Sequence, residues 1–351
     1  MTPAAMPDLV RAVQTNCHIA DARSAADLTL CIYLLQMREL YRWEQGIAAL
    51  QPLPREAIAG WLAEREALWA SLEEHDYAPL PLDGGDTDPF DVAAVNAQLQ
   101  PHGLVYGAGY VAAGRASFVL GQLERADQRG DLELRVCGIE QARGLSAPPA
   151  TLQGSTVLLR RQSLQRWLWE KYEGWLLRRP DGPFKAALQA RGWADDGEAA
   201  VQRLAEAEAE TLVLHECGEF EVGRELGPDW QALRAALPSR RADLYVRAAR
   251  DHWADCRITL PRLLEQGDGA SLHFWFANLE GVRALLFPRL WQAYAAWCAG
   301  DRGAALRDAV VQGEPHWRRF CLQLLALHRD GAADAPLRIE QCALAPQWML
   351  A

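Results

Sequence analysis

Apolar residues recur at helical spacing over most of the chain. Between Ser24 and Gly46 they fall at Leu30, Cys31, Leu34, Met37 and Tyr41, one stripe at about 100° per residue, with Ser24-Ala25-Ala26-Asp27 reading as a capping box and Gly46 as a stop. Residues 54–75 predict a second helix that starts on a proline and carries Trp61, Leu62, Leu68, Trp69 and Leu72. The Pro-, Gly- and Asp-rich stretch 78–89 predicts a loop and a first boundary. The texture then changes to a short helix at 92–100 and strand-like runs at 104–110, 117–123, 132–137 and 156–160. From Ser163 the helical period returns, predicting helices at 163–178, 197–226, 229–236, 240–265, 271–299 and 303–329, with Pro261 and Pro288 kinking or ending two of them. Residues 337–344 read as a last strand or a tail. The expected fold is mainly α: N-terminal helices over 1–80, a small α+β insert at 88–160, a C-terminal helical bundle over 161–330 and a tail from 331.

Composition narrows the class. Half of the 351 residues are hydrophobic, which excludes a disordered or collagen-like chain. A net charge of −10 argues against a broad nucleic-acid or anionic-membrane surface. The start of the chain lacks a basic segment followed by an apolar one, no uncharged apolar run reaches 18 residues, and the eight cysteines contain no CxxC pair. A soluble, cytoplasmic protein with reduced thiols is expected. Fourteen Trp outnumber Tyr and Phe, at eight each, and at least seven lie on the helices between 163 and 299. That placement points to helix packing, with a Trp-lined pocket for a flat aromatic ligand or a partner helix as the alternative.

Two motifs fail on inspection. Gly107-Ala108-Gly109 with Gly114 has the wrong spacing for a phosphate cradle and is followed by a strand-like run instead of a helix. His215-Glu216-Cys217-Gly218-Glu219 begins like the HExxH helix of zinc proteases but places an acid where the second imidazole should stand, and Gly218 weakens the helix there.

What survives is a set of polar residues on apolar helix faces. Over 197–226, His215, Glu219 and Glu208 share a direction with Leu204, Leu212, Val222 and Leu226, and Glu216 lies on the flank. Over 240–265, Tyr245, His252, Cys256 and Leu263 form a face with Asp255 beside it, one turn from His252. Imidazole and carboxylate pairs on successive helices are how helical bundles assemble a metal centre. The ligand candidates are His215, Glu219, His252 and Asp255, with Glu216 or Glu208 as a supporting acid; His18, Asp21, His273 and Glu280 are possible additions. The donors are rich in oxygen and lack a thiolate set, which favours iron or manganese over zinc. The competing reading is a structural network in a non-catalytic scaffold or regulatory binding protein, with Arg241, Arg247, Arg250 or Arg257 neutralising the acids.

The segments NCHIADARSAADLTLCIYLLQMRELYRWE, LHECGEFEVGRELG, RDHWADCRITLPRLLE and SLHFWFANLEGVRALLFP resemble, in this order, a family of uncharacterised bacterial proteins with locus-style names. The resemblance implies a bacterial, full-length member; it lends no reaction, cofactor or catalytic residue. The expectation from the residues themselves is a carboxylate/histidine metal site acting on a small molecule by oxidation or hydrolysis, with neither a nucleic acid nor a membrane as partner.

Overall fold

Helix α1 (Met6–Ser24) buries Leu9, Val13, Cys17 and Ala20, residues spaced three or four apart, against Phe118, Leu120 and Ala142 of a β-sheet. The computed structural model describes residues 6–48, 51–110, 115–193 and 196–351, and the chain divides into two units, one ending at Glu173 and the other beginning at Gly174. The protein is mainly α, and its sheet lies wholly in the first unit.

In that unit α1 is followed by α2 (Leu30–Glu44), α3 (Arg55–Leu72), a hairpin of β1 (Leu80–Leu82) and β2 (Gly85–Thr87), and α4 (Val92–Leu99). Five strands then form one sheet: β3 (Leu104–Tyr110), β4 (Ala116–Arg129), β5 (Leu132–Arg143), β6 (Ala150–Gln153) and β7 (Thr156–Arg160), in the spatial order β3-β4-β5-β7-β6. Among the described residues only the β5–β7 pairing is parallel. The register of β4 on β5 shifts between Leu120 and Arg125, a bulged stretch that bends the strands over α1. The unit closes with α5 (Arg161–Leu176), within which the division between units falls.

Among the described residues the second unit has helices and no strand: α6 (Pro183–Ala190), α7 (Gly197–Leu226), α8 (Asp229–Ala235), α9 (Arg240–Ala254), α10 (Leu260–Gln266), α11 (Gly269–Ala277), α12 (Gly281–Leu286), α13 (Pro288–Cys298), α14 (Ala304–Arg329) and α15 (Ala335–Ala343). Its core centres on Trp253, Phe287, Trp317 and Phe320, all fully buried, where α9 meets α14. No described helix is long and apolar enough to cross a membrane. All eight cysteines are free thiols.

Several local expectations need correction. Ser24 forms no capping box: it ends α1 and precedes only a 3-10 turn at Ala25–Asp27, and its hydroxyl donates back to Ala20 O at 2.8 Å instead of capping. α1 escapes the hydrophobic pattern because it also buries Asn16, His18 and Asp21. The stripe drawn on α2 is half exposed, with Met37 and Tyr41 buried but Leu30 and Leu34 facing out. The 78–89 loop contains the β1–β2 hairpin, β6 and α6 stand where nothing regular is expected, and 337–343 is helical, in α15, with Leu344 as its C-terminal cap. The 271–299 helix is three helices, the last opened by Pro288 at its first position. The 240–265 helix is continuous but contains a π-turn at Asp255–Thr259, in which Leu260 N–H donates five residues back to Asp255 O. Pro261 follows directly and has no N–H for the carbonyl of Arg257, so the regular ladder cannot continue there. Gly107 and Gly109 lie in β3; Gly114 lies outside the described residues.

Candidate functional site

Helix α7 is capped by Asp196, whose carboxylate accepts from Glu198 N and Ala199 N, and it runs unbroken past His215 to Gly227. Gly218 sets its distance from the next helix. A Cβ there would lie 2.6 Å from Ala254 O, so only glycine lets α7 and α9 touch at this level. The close approach brings His215 and Glu219 of α7 against Asp251 of α9 and Asp255 of the π-turn.

His215 Nδ1 hydrogen-bonds Asp255 Oδ1 at 2.8 Å, and its Nε2 lies 3.5 Å from Glu219 Oε1. One ligand-type atom from each of His215, Glu219 and Asp251 lies within 4.8 Å of the others. Asp255 is fully buried and is also bound by the Arg283 guanidinium. Arg250 lies on Glu219 and, at 3.0 Å, on Asp251. The side chains of His215 and Glu219 keep 23% and 17% of their exposure, so the cluster opens to solvent at one edge.

Charge governs the protonation states. Burial works against a charged His215, but Asp255 and Glu219 outweigh it and raise its pKa well above the ordinary imidazole value. Burial would also raise the two acids; Arg250 and His215 instead hold Glu219 at about 2, and His215 and Arg283 hold Asp255 well below the carboxylate range. Glu216 goes the other way, pushed up to about 7 by burial and by the charge of Glu219. Counting Glu216, Glu219, Asp251 and Asp255 against Arg250 and Arg283, the pocket holds more acid than arginine, and the His215 proton and the neutral form of Glu216 absorb the difference.

The other candidates lie elsewhere. His252 is turned away from the cluster: its Nε2 donates to Arg283 O at 2.8 Å, and its ring stacks on Trp317 and meets Phe287 edge-on. Burial and Arg283 lower its pKa to about 3, so it stays neutral. Glu208, two turns back on α7, accepts from Arg191, Thr211 and Ser271 at 3.1, 2.7 and 3.0 Å. His273 bonds the Tyr294 hydroxyl at 2.7 Å and packs on Trp297. Glu280 is the residue preceding α12. In the first unit, His18 is buried under the Arg65 guanidinium, and burial together with Arg65 lowers its pKa to about 4. Asp21 accepts from Leu145 N at 3.0 Å, and burial pushes its pKa up to about 7.

Two members of the cluster, Asp251 and Arg283, lie outside the set of residues expected from the sequence. Asp251 carried a usable signal, since it stands four residues before Asp255 and therefore on the same helix face. Arg283 carried none, because its contact depends on where α12 folds back.

No curated protein and no solved structure matches the chain. Residues 8–160 match the N-terminal domain, and residues 165–345 the C-terminal domain, of a family of unknown function, DUF6866. With both domains present in order, the chain belongs to the DUF6866 family.

Proposed function

We propose that the second unit binds a divalent cation, iron or manganese, between His215, Glu219 and Asp251, and that this centre acts on a small molecule by metal-assisted oxidation or hydrolysis. The observation that carries the reading is the convergence of one imidazole and two carboxylates within 4.8 Å. Asp255 supports it by holding His215 Nδ1 and leaving Nε2 on the side of Glu219, the orientation that a carboxylate behind a ligating imidazole provides. One imidazole with two carboxylates and no thiolate suits iron or manganese better than zinc. The excess of acid over arginine, balanced in the free protein by the His215 proton and the neutral form of Glu216, is the charge that a dication would neutralise on displacing those protons.

Elemental analysis of protein purified without chelator, followed by calorimetric titration with Mn2+, tests the proposal. About one metal per chain is expected, lost in His215→Ala and in Asp251→Asn. Folded protein that carries no metal and takes up no Mn2+ overturns it.

A second reading, a purely structural ion network, has its own support in Arg250, which already lies on both Glu219 and Asp251. Arg250→Met separates the two. If a cation competes with the guanidinium, the variant binds Mn2+ at least as tightly as the wild type. If the network is structural, the variant binds none and loses up to about 3 kcal/mol, the low end for a broken buried pair, because the Arg250 side chain keeps 18% exposure.

A further inference from the structure

Helix α2 begins with its apolar residues in solvent. Residues 28–37 carry no charge, and within them Leu30, Ile32, Leu34 and Leu35 keep between 45% and 70% of their exposure, with Cys31 exposed among them. At about 100° per residue these five positions cover about 200° of the helix circumference. The second half of the helix differs, since Met37, Glu39, Leu40, Tyr41 and Arg42 are all buried. A helix apolar over so wide an arc is ordinarily covered by protein. The five side chains bare about 400 Å2 of mainly apolar surface in one patch, a size at which exposed patches on a single chain mark interaction sites.

Area and charge select the occupant. A standard interface buries about 800 Å2 on each partner, about 65% of it apolar in homodimers. The α2 patch supplies most of that apolar share, and Thr29, Tyr33 and Gln36 supply a rim. The two ends of the patch carry opposite charge. Asp27, exposed in the 3-10 turn ahead of α2, makes no ion pair among the described residues. Arg38 stands at the other end; its Nε and Nη2 lie on Glu39 and Glu173 at 2.9 and 2.6 Å, and its Nη1 remains for another acceptor. Two copies of the helix laid antiparallel bring acidic end to basic end twice. A two-fold axis between Ile32 and Tyr33 also sets Leu30 opposite Leu35 and Cys31 opposite Leu34. The face is complementary to itself, as an isologous contact requires. A lipid surface suits it less. Interfacial helices line their polar flank with free Lys and Arg, whereas Arg38, Glu39, Arg42 and Glu44, the charged residues of α2, are all engaged in ion pairs within the first unit.

We propose that two copies of this chain associate through the first two turns of α2, as an antiparallel helix pair about a two-fold axis between Ile32 and Tyr33. The contact lies in the first unit and is independent of the cation centre proposed for the second.

Sedimentation velocity on the full chain between about 1 and 200 µM tests the inference, and a reversible dimer with a Kd of about 100 µM or tighter is expected. Leu30→Lys and Leu35→Glu should each raise the Kd tenfold or more with circular dichroism unchanged, because both side chains are exposed. Leu244→Glu, at a similarly exposed leucine of α9, should leave it unchanged. An equimolar mixture of the Leu30→Lys and Leu35→Glu chains should recover the dimer, since antiparallel pairing sets one substituted position opposite the other. A short bis-maleimide should join Cys31 of one wild-type chain to Cys31 of another, mapped by mass spectrometry of the tryptic peptides; this readout needs no substitution and covers the case in which a variant fails to fold. A wild-type chain that stays monomeric at about 200 µM overturns the proposal. So does a dimer indifferent to both α2 variants, a mixture that does not recover association, cross-links confined to other cysteines, or a monomer whose α2 patch binds phosphatidylcholine–phosphatidylglycerol vesicles instead.

Discussion

Two glycines on one helix give the sharpest test of how α7 and α9 fit together. An alanine Cβ at Gly218 would fall 2.6 Å from Ala254 O and 3.1 Å from Ala254 Cβ, whereas at Gly223 it would meet nothing within 4 Å. Both residues are helical, so each Gly→Ala change gains about 1 kcal/mol of helix propensity. Only Gly218→Ala must also push a neighbouring backbone aside, at about 1–3 kcal/mol for overpacking. Gly223→Ala should therefore stabilise by about 1 kcal/mol, while Gly218→Ala should range from neutral to about 2 kcal/mol destabilising. The difference between the variants isolates the overpacking cost. At about 2–4 °C per kcal/mol for a unit of this size, Gly218→Ala should melt about 2–12 °C below Gly223→Ala in differential scanning calorimetry. Melting of the two variants within 1 °C of each other, or of Gly218→Ala above Gly223→Ala, would refute the close approach on which the His215–Asp255 contact depends.

Three further outcomes follow from buried polar groups. Glu140→Gln leaves Arg160, 2% exposed, without its counter-charge and should cost the first unit about 3–5 kcal/mol in urea denaturation; a loss under 1 kcal/mol would show that the pair is not buried as described. His252 has a folded pKa depressed to about 3, so the unfolded chain takes up a proton that the native one refuses as pH falls from 6.5. Stability should drop over that window with one proton's slope, and His252→Asn should remove that part of the slope; identical pH profiles for variant and wild type would sink the assignment of a neutral ring. His215 is linked with the opposite sign: its raised pKa makes its contribution complete below 6.5 and lost as pH climbs through the folded value, so Asp255→Asn should abolish stabilisation on the acid side and be felt less at high pH.

Periodicity made the long elements legible and left the short ones obscure. The 197–226 helix and the strands at 104–110 and 156–160 have the bounds expected of them, the helix because it keeps one period from end to end and the strands because each is a short run of consecutive buried residues. α1 is hidden in the pattern for a physical reason: its buried side includes Asn16, which exchanges hydrogen bonds with the backbone of Ala78 at 2.8 and 2.7 Å, and Asp21, which takes the Leu145 N–H. Polar side chains that satisfy backbone groups of another segment are interior residues, yet in a one-dimensional pattern they read as exposed. α2 shows the converse, since Leu30 and Leu34 have the spacing of a core stripe but remain exposed.

The candidate site divides along the same line. His215 and Glu219 were legible as a pair because four residues on one helix fix their relation without any knowledge of the fold. The partner face of α9 was not, because a wheel orders residues around a helix but does not say which side meets α7. On an ideal wheel Asp251 and Asp255 stand about 40° apart and His252 about 60° from Asp255 on the far side from Asp251, so a modest rotation decides whether His252 or Asp251 joins Asp255 toward α7. Packing decides it here. The His252 ring takes the position between Phe287 and Trp317 in the core, Ala254 supplies the small surface that Gly218 touches, and the two aspartates are left facing His215 and Glu219. The tryptophans thus bear on the cluster indirectly: by claiming an imidazole for the core they settle which carboxylates are left to meet the other one.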